Sequence, residues 1–270
     1  MHCENAYGDM SVMKNNKLIY FFGVLVALYL LVAVLLFVFQ RGFIYLPSGV
    51  YQHDFEQITL QTEDVEIEII VLNRGHESAF IYFGGNAEAV VFNALDFIRQ
   101  FPNQTIYLVN YRGYGGSTGK PTQAGLLSDA SAIFDMFAPA HKYLAVVGRS
   151  LGSGIAMHVA AHRSVSQAVL ITPYDSLVAI AKKQYPMFPI SLMLKDPYDS
   201  IALAEKVSAP VLILIGGKDR LIPLQHSQNL FEALGPDTAK MVVIEQAGHN
   251  NISQFPAFYT NMMRFFNYHN

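Results

Sequence analysis

The sequence predicts an α/β fold: a mostly parallel central sheet with helices on both faces, preceded by one N-terminal transmembrane helix. Three observations carry this. Short apolar runs suited to strands buried on both faces alternate with helical stretches. An uncharged apolar run, Leu18 to Phe39, stands ahead of them. The remainder of the 270 residues is enough chain for one large α/β domain.

In chain order, residues 1–17 form a polar N-terminal tail. Its Cys3 is the only cysteine, which excludes an intramolecular disulfide and a Cys-rich metal site and leaves the redox compartment open. Residues 18–39 follow as the transmembrane helix. At about 1.5 Å per residue this run spans the roughly 30 Å hydrocarbon core of a bilayer. A cleaved signal peptide has a shorter apolar region and a small-residue cleavage site, whereas this run ends in Phe37-Val38-Phe39-Gln40-Arg41. Lys14 and Lys17 precede it and only Arg41 follows closely, so the positive-inside tendency favours a cytoplasmic N-terminus and a catalytic domain on the non-cytoplasmic side.

Residues 40–52, with Pro47 and Gly49, read as a linker, and the folded domain is expected over 53–270. Gln57 to Thr62 and Val65 to Leu72 look like two strands of an antiparallel edge, the second alternating Val65, Ile67, Ile69 and Val71 with Glu66 and Glu68. Buried strands are expected at 79–83, 105–109, 143–147, 167–171, 211–215 and 241–244. Helices are expected at 87–100, 123–137, 151–162, 225–233 and 253–267. The stretch 175–200, with Pro186, Pro189 and Pro197, is longer than a usual connection and is the candidate for a short lid. A formal net charge of −3 gives no broad attraction toward a polyanion, so nucleic acid is not an expected partner.

Gly148-Arg149-Ser150-Leu151-Gly152 fits G-x-S-x-G, a pattern informative only where a strand precedes it and a helix follows. Both are expected here. A sharp turn between them exposes the serine, and flanking glycines let neighbouring backbone approach. Gly115-Gly116-Ser117-Thr118-Gly119 fits the same five letters without a preceding apolar run. It also resembles a phosphate-binding loop, but Pro121 stands where Ser or Thr is required and Tyr114 where the first glycine belongs.

A serine hydroxyl needs a base to remove its proton and a third group to orient that base. Asp219 lies in the loop after the strand 211–215, and His249 in the loop after 241–244, which makes them the candidate orienting acid and general base. The order Ser150, Asp219, His249 is that of an α/β-hydrolase. Asp175, just past 167–171, is the rival acid. His158 and His162 lie four apart on a helix but lack the Glu of a zinc-protease motif, and read as packing residues. For the developing oxyanion, backbone N–H donors are expected from Leu151 and, in the loop Gly84-Gly85-Asn86-Ala87-Glu88, from Asn86.

Together with Phe83-Gly84-Gly85-Asn86-Ala87, Asn110-Tyr111-Arg112-Gly113-Tyr114-Gly115, Lys218-Asp219 and Gly248-His249, these motifs resemble the membrane-anchored α/β-hydrolases of the acyl-protein-depalmitoylase and lysophospholipase-like branch. The resemblance implies esterase, thioesterase or lipase activity on a small-molecule or lipid acyl ester at a membrane. It implies that the Arg112 to Gly115 segment shapes the loop beside the site. Members commonly have His-Gly-Asn where this chain has Gly84-Gly85-Asn86, so the loop's support is expected to differ while a backbone donor survives. The expected chemistry uses a Ser-His-Asp triad and an acyl-enzyme, with no metal or organic cofactor. A serine peptidase of the same fold and a non-catalytic binding protein are the alternatives.

Overall fold

A computed structural model of the chain describes residues 5–62 and 64–268; Cys3 lies outside the described residues. Helix α1 runs Asn5–Ile44, beyond both ends of the apolar run 18–39. Hydropathy marks what matches a bilayer, whereas helical hydrogen bonding continues until a residue stops it, and Pro47 is the first that must. Its segment Asn16–Ile44 is long and apolar enough to cross a membrane.

The second unit begins at Ile44 rather than at His53. The reason is visible in Tyr45, a residue of the expected linker, which is buried within this unit, with its hydroxyl 3.0 Å from that of Tyr198. Eight strands form one sheet in the order β1-β2-β4-β3-β5-β6-β7-β8. Strand β1 (Glu56–Gln61) pairs antiparallel with β2 (Glu66–Leu72), and β2 antiparallel with β4 (Thr105–Val109). The rest is parallel: β3 (Ser78–Phe83), β5 (Tyr143–Arg149), β6 (Ala168–Ile171), β7 (Val211–Gly216) and β8 (Ala239–Ile244). This is the mostly parallel sheet with an antiparallel edge that the sequence patterns imply.

Period-2 alternation divides the strands between two cores. Ala79, Ile81 and Phe83 of β3 face α3 (Gln123–Phe137), α4 (Leu151–His162) and α7 (Leu224–Leu234). Phe80 and Tyr82 face α2 (Ala94–Gln100) and α8 (Pro256–Tyr268). Phe80 stacks on Phe266 at 5.6 Å and meets Phe97 and Phe101 edge-on at 5.6 and 5.4 Å.

The helix expected over 87–100 is instead a turn, a single 3₁₀ stretch at Val90–Asn93, and α2. Glu88 and Asn93 side chains bond each other there at 2.5 Å, an interaction of the loop rather than of a helix. Between β6 and β7 the chain forms α5 (Leu177–Gln184) and the one-turn α6 (Ile190–Met193), bracketed by a bridge between Ser176 and Asp199. Strand order reverses direction at β3, where β4 lies on one side and β5 on the other. The crevice at the carboxyl ends of β3 and β5 is therefore where such a sheet receives a ligand.

Candidate active site

The end of β5 and the start of α4 meet at Ser150, which adopts φ 49° and ψ −115°, a backbone region that residues with a Cβ rarely enter. Flanking glycines allow it. A Cβ on Gly148 would stand 2.2 Å from the Gly152 carbonyl, and one on Gly152 would stand 2.0 Å from that of Phe83. The turn is held by the Ser150 N–H donating to Ile171 O at 2.9 Å, and by the Ser153 N–H and hydroxyl donating to Ser150 O at 2.9 and 2.6 Å. With its main chain so bound, Ser150 projects its hydroxyl over the strand ends.

That hydroxyl lies 3.0 Å from His249 Nε2, and His249 Nδ1 lies 2.7 Å from Asp219 Oδ2. Asp219 comes from the loop after β7 and His249 from the loop after the adjacent β8, so neighbouring strands deliver the carboxylate and the imidazole. The other carboxylate oxygen, Oδ1, accepts the N–H groups of Leu221 and Ile222, both at 2.9 Å. The Asp219 side chain is 1% exposed, so these donors and the imidazole are what compensate its charge.

The loop after β3 passes beside the serine: a Cβ on Gly85 would stand 3.8 Å from that of Ser150. Its peptide planes are fixed in turn. The Gly84 carbonyl accepts the Tyr111 hydroxyl at 2.7 Å, and the Gly85 N–H donates to Glu88 Oε2 at 2.7 Å. The Gly85 carbonyl accepts the Glu88 N–H at 3.3 Å, and the Asn86 carbonyl accepts the Tyr114 hydroxyl at 2.7 Å. Neither the Asn86 N–H nor the Leu151 N–H has an acceptor among the described residues. These two, expected from the sequence as donors to an oxyanion, are thus left with unused hydrogens at the loop and helix start that flank Ser150.

Sequence reasoning missed a further layer. Glu88 also accepts from the Tyr82 hydroxyl at 2.7 Å, and its carboxylate is 3.5 Å from the Arg149 guanidinium, both side chains being largely buried. Arg149 reaches onward to the carbonyls of His249 at 3.4 Å and Asn250 at 3.2 Å. The burial of Tyr82, together with the Glu88 charge, raises its phenol well above the ordinary range, so it stays a donor. An acidic residue inside a glycine-rich turn, matched to a cation beside the serine, was the available signal. Glu88 and the two tyrosines supply the loop support where the resembled hydrolases carry a histidine.

The competing residues are engaged elsewhere. Asp175 is buried and bonds His226 Nδ1 at 2.9 Å and Asn229 Nδ2 at 2.8 Å. The Ser117 hydroxyl donates to Asn110 O and accepts the Glu68 N–H, each at 2.8 Å, and so braces its own loop. His158 bonds Ser131 at 3.3 Å and lies against the His162 ring, as a packing residue would. Among the described residues no group of three or more His, Cys, Asp or Glu side chains converges to hold a metal ion.

A hydroxyl, an imidazole and a carboxylate in series, beside two free backbone donors, can transfer a proton and stabilise a tetrahedral oxyanion. The dienelactone hydrolase family model matches residues 117–257, a span that includes Ser150, Asp219 and His249. An uncharacterised protein of Mycobacterium tuberculosis is 35% identical over 153 residues, covering 54% of this chain and 53% of that protein. The chain therefore spans about half the length of that relative. An uncharacterised membrane protein of Saccharomyces cerevisiae is 28% identical over 260 residues, covering 86% of this chain and 90% of that protein. Among solved structures, an esterase of Pyrococcus furiosus superposes with a TM-score of 0.67 at 17% identity, covering 83% of this chain and 96% of that chain, a likeness of fold.

Proposed function

The chain belongs to the dienelactone hydrolase family and has the α/β-hydrolase fold, and from that premise we propose that it is a membrane-anchored serine hydrolase of carboxylic ester or thioester bonds. The observation that carries the reading is the unbroken series Ser150 Oγ, His249 Nε2, His249 Nδ1 and Asp219 Oδ2, at 3.0 and 2.7 Å. His249 takes the Ser150 proton as Oγ attacks the acyl carbonyl, and Asp219 stabilises the imidazolium. The oxyanion receives the N–H groups of Asn86 and Leu151. Collapse of the tetrahedral intermediate breaks the bond to the leaving alcohol or thiol, which takes the proton from His249. Water, deprotonated by the same imidazole, then cleaves the acyl-enzyme and releases the acid and Ser150. The scheme draws on no metal or organic cofactor.

The acyl group is lipophilic in this reading. Supporting it are the apolar α1, whose segment 16–44 serves as an anchor with its N-terminus cytoplasmic, and the segment 175–200, which acts as a short lid. That segment exposes Tyr185, Met187 and Leu192.

A fluorophosphonate probe, which esterifies activated serines, tests the nucleophile. The full chain in detergent is expected to label and Ser150→Ala to remain unlabelled; labelling of both would overturn the assignment. A series of p-nitrophenyl esters then tests the acyl preference, with kcat/KM expected to rise with chain length. A flat series would remove the lipophilic substrate, and cleavage of aminoacyl anilides instead of esters would make the protein a peptidase.

A further inference from the structure

The loop that carries Asn86 is tied to the chain at the very end of α1. The Asn86 Nδ2 donates to Ile44 O at 3.2 Å, and the Leu46 N–H donates to Asn86 O at 3.2 Å and to the Tyr114 hydroxyl at 3.0 Å. Because a residue extends the chain by at most about 3.5 Å, Leu46 stands within about 7 Å of the last residue of the helix. The segment that follows then lies along the edge of the same loop and turns apolar side chains outward. Val50 is 74% exposed, and Tyr51 packs its ring edge-on against Phe92 at 4.7 Å. Phe92 and Leu95, three residues apart and so on one side of the turn into α2, are 70% and 63% exposed.

Tyr51 and Phe92, remote in sequence, thus meet beside the loop that carries Asn86, and exposed Leu46, Val50 and Leu95 lie within a few residues of one or the other. Monomeric proteins rarely leave such a patch in water, and aromatic rings with a polar tip, such as Tyr51, favour the boundary between lipid and water. We propose that Leu46, Val50, Tyr51, Phe92 and Leu95 form a docking surface for the bilayer itself, which seats the Asn86 loop at the lipid–water interface. The inference rests on α1 being an anchor. The bilayer is the occupant because this surface starts two residues after the helix that enters it, so no other partner is bound to be present at that distance.

The chain contains no tryptophan, so a single introduced one reports its own surroundings without background. Three full-length variants, Phe92→Trp, Leu30→Trp and Met136→Trp, are reconstituted in phosphatidylcholine vesicles with and without bromine near the carbonyl end of the acyl chains, a shallow quencher. A parallel set carries bromine deep in the chains. Met136 is the reference. It is exposed near the end of α3, the helix that leads into β5, and so lies toward the amino ends of the parallel strands, whereas the Asn86 loop follows the carboxyl end of β3.

Phe92→Trp is expected to lose most of its emission to the shallow bromine and little to the deep one, while Met136→Trp loses emission to neither. Leu30→Trp, inside α1, should be quenched by the deep bromine. Quenching of Leu30→Trp without quenching of Phe92→Trp overturns the docking surface and leaves the anchor standing; the same holds if Phe92→Trp is shielded only at high protein-to-lipid ratio, as contact between two copies would make it. Absence of quenching in Leu30→Trp overturns the anchor, and the docking surface with it. Because Phe92 is exposed, folding is not at stake, and Leu95→Trp repeats the measurement from the next turn.

Discussion

The Arg149 guanidinium lies 3.5 Å from the Glu88 carboxylate, so the residue before Ser150 is joined to the loop that carries Asn86. The same guanidinium donates to the carbonyls of His249 and Asn250. One side chain therefore touches the supports of the proposed nucleophile, base and oxyanion donor, and ties the three together. Replacing it with Met leaves a largely buried carboxylate without its cation. The cost is expected at about 3 kcal/mol, the low end for such a loss because Gly85, Tyr82 and Asn93 still donate to Glu88. Thermal unfolding measures that cost. Arg149→Met should also lower kcat with little change in KM. Arg149→Lys should restore stability better than kcat, because a compact ammonium lacks the planar fork with which the guanidinium spans Glu88 and two carbonyls.

Asp219→Asn is expected to keep the fold and to lower kcat by about 10⁴-fold, since an amide that donates to His249 Nδ1 holds the imidazole in the wrong tautomer. Steady-state ester hydrolysis checks this. Asp175→Asn, whose partners are His226 and Asn229, should leave kcat within a few-fold of wild type. An equal loss from both would mean that the carboxylate assignment is wrong.

The Tyr114 hydroxyl donates to the Asn86 carbonyl and accepts the Leu46 N–H. Tyr114→Phe removes both contacts without a change in the buried ring. Stability should fall by about 1–2 kcal/mol. The Asn86 plane, held at its oxygen by the Leu46 N–H alone, should present its loop less rigidly, so that kcat falls about tenfold. Comparison of kcat with the denaturation midpoint distinguishes this from a loss of stability alone, which would leave kcat unchanged below the transition.

His158 is held down to about 4 by burial and then by the neighbouring His162 and Arg163. Unfolded, its imidazole titrates near 6.5. Between those values the unfolded chain binds a proton that the folded chain refuses, so this group subtracts stability as pH falls from about 6.5 toward 4. Melting curves from pH 7.5 to 4.5 should show the decline. His158→Gln, which can still bond Ser131, should flatten it; an unchanged slope would place the titration elsewhere.

Much of the fold was legible because its signals are local. The runs ending at Phe83, Val109, Val147, Ile171, Ile215 and Ile244 are apolar and bounded by glycine, proline or polar residues, and each is a strand. The helix expected over 87–100 failed for an equally physical reason: Glu88 serves Gly85, Tyr82 and Asn93, three partners that no helix would let it reach together. The domain start at Ile44 was hidden because Tyr45 reads as linker until its hydroxyl is seen beside that of Tyr198, far along the chain.

By itself the sequence determined the existence and kind of most elements, the membrane-length helix, and three chemically apt side chains each just beyond a strand. Periodicity and chain breakers act over a few residues, and that is the range a sequence displays. Only the tertiary structure decided which aspartate meets His249. Strand β7 lies next to β8 and β6 one place further, so Asp219 reaches the imidazole while Asp175 turns to His226. It likewise decided that Glu88 and Arg149 share one site, because strand order, which no local pattern encodes, brings the ends of β3 and β5 side by side.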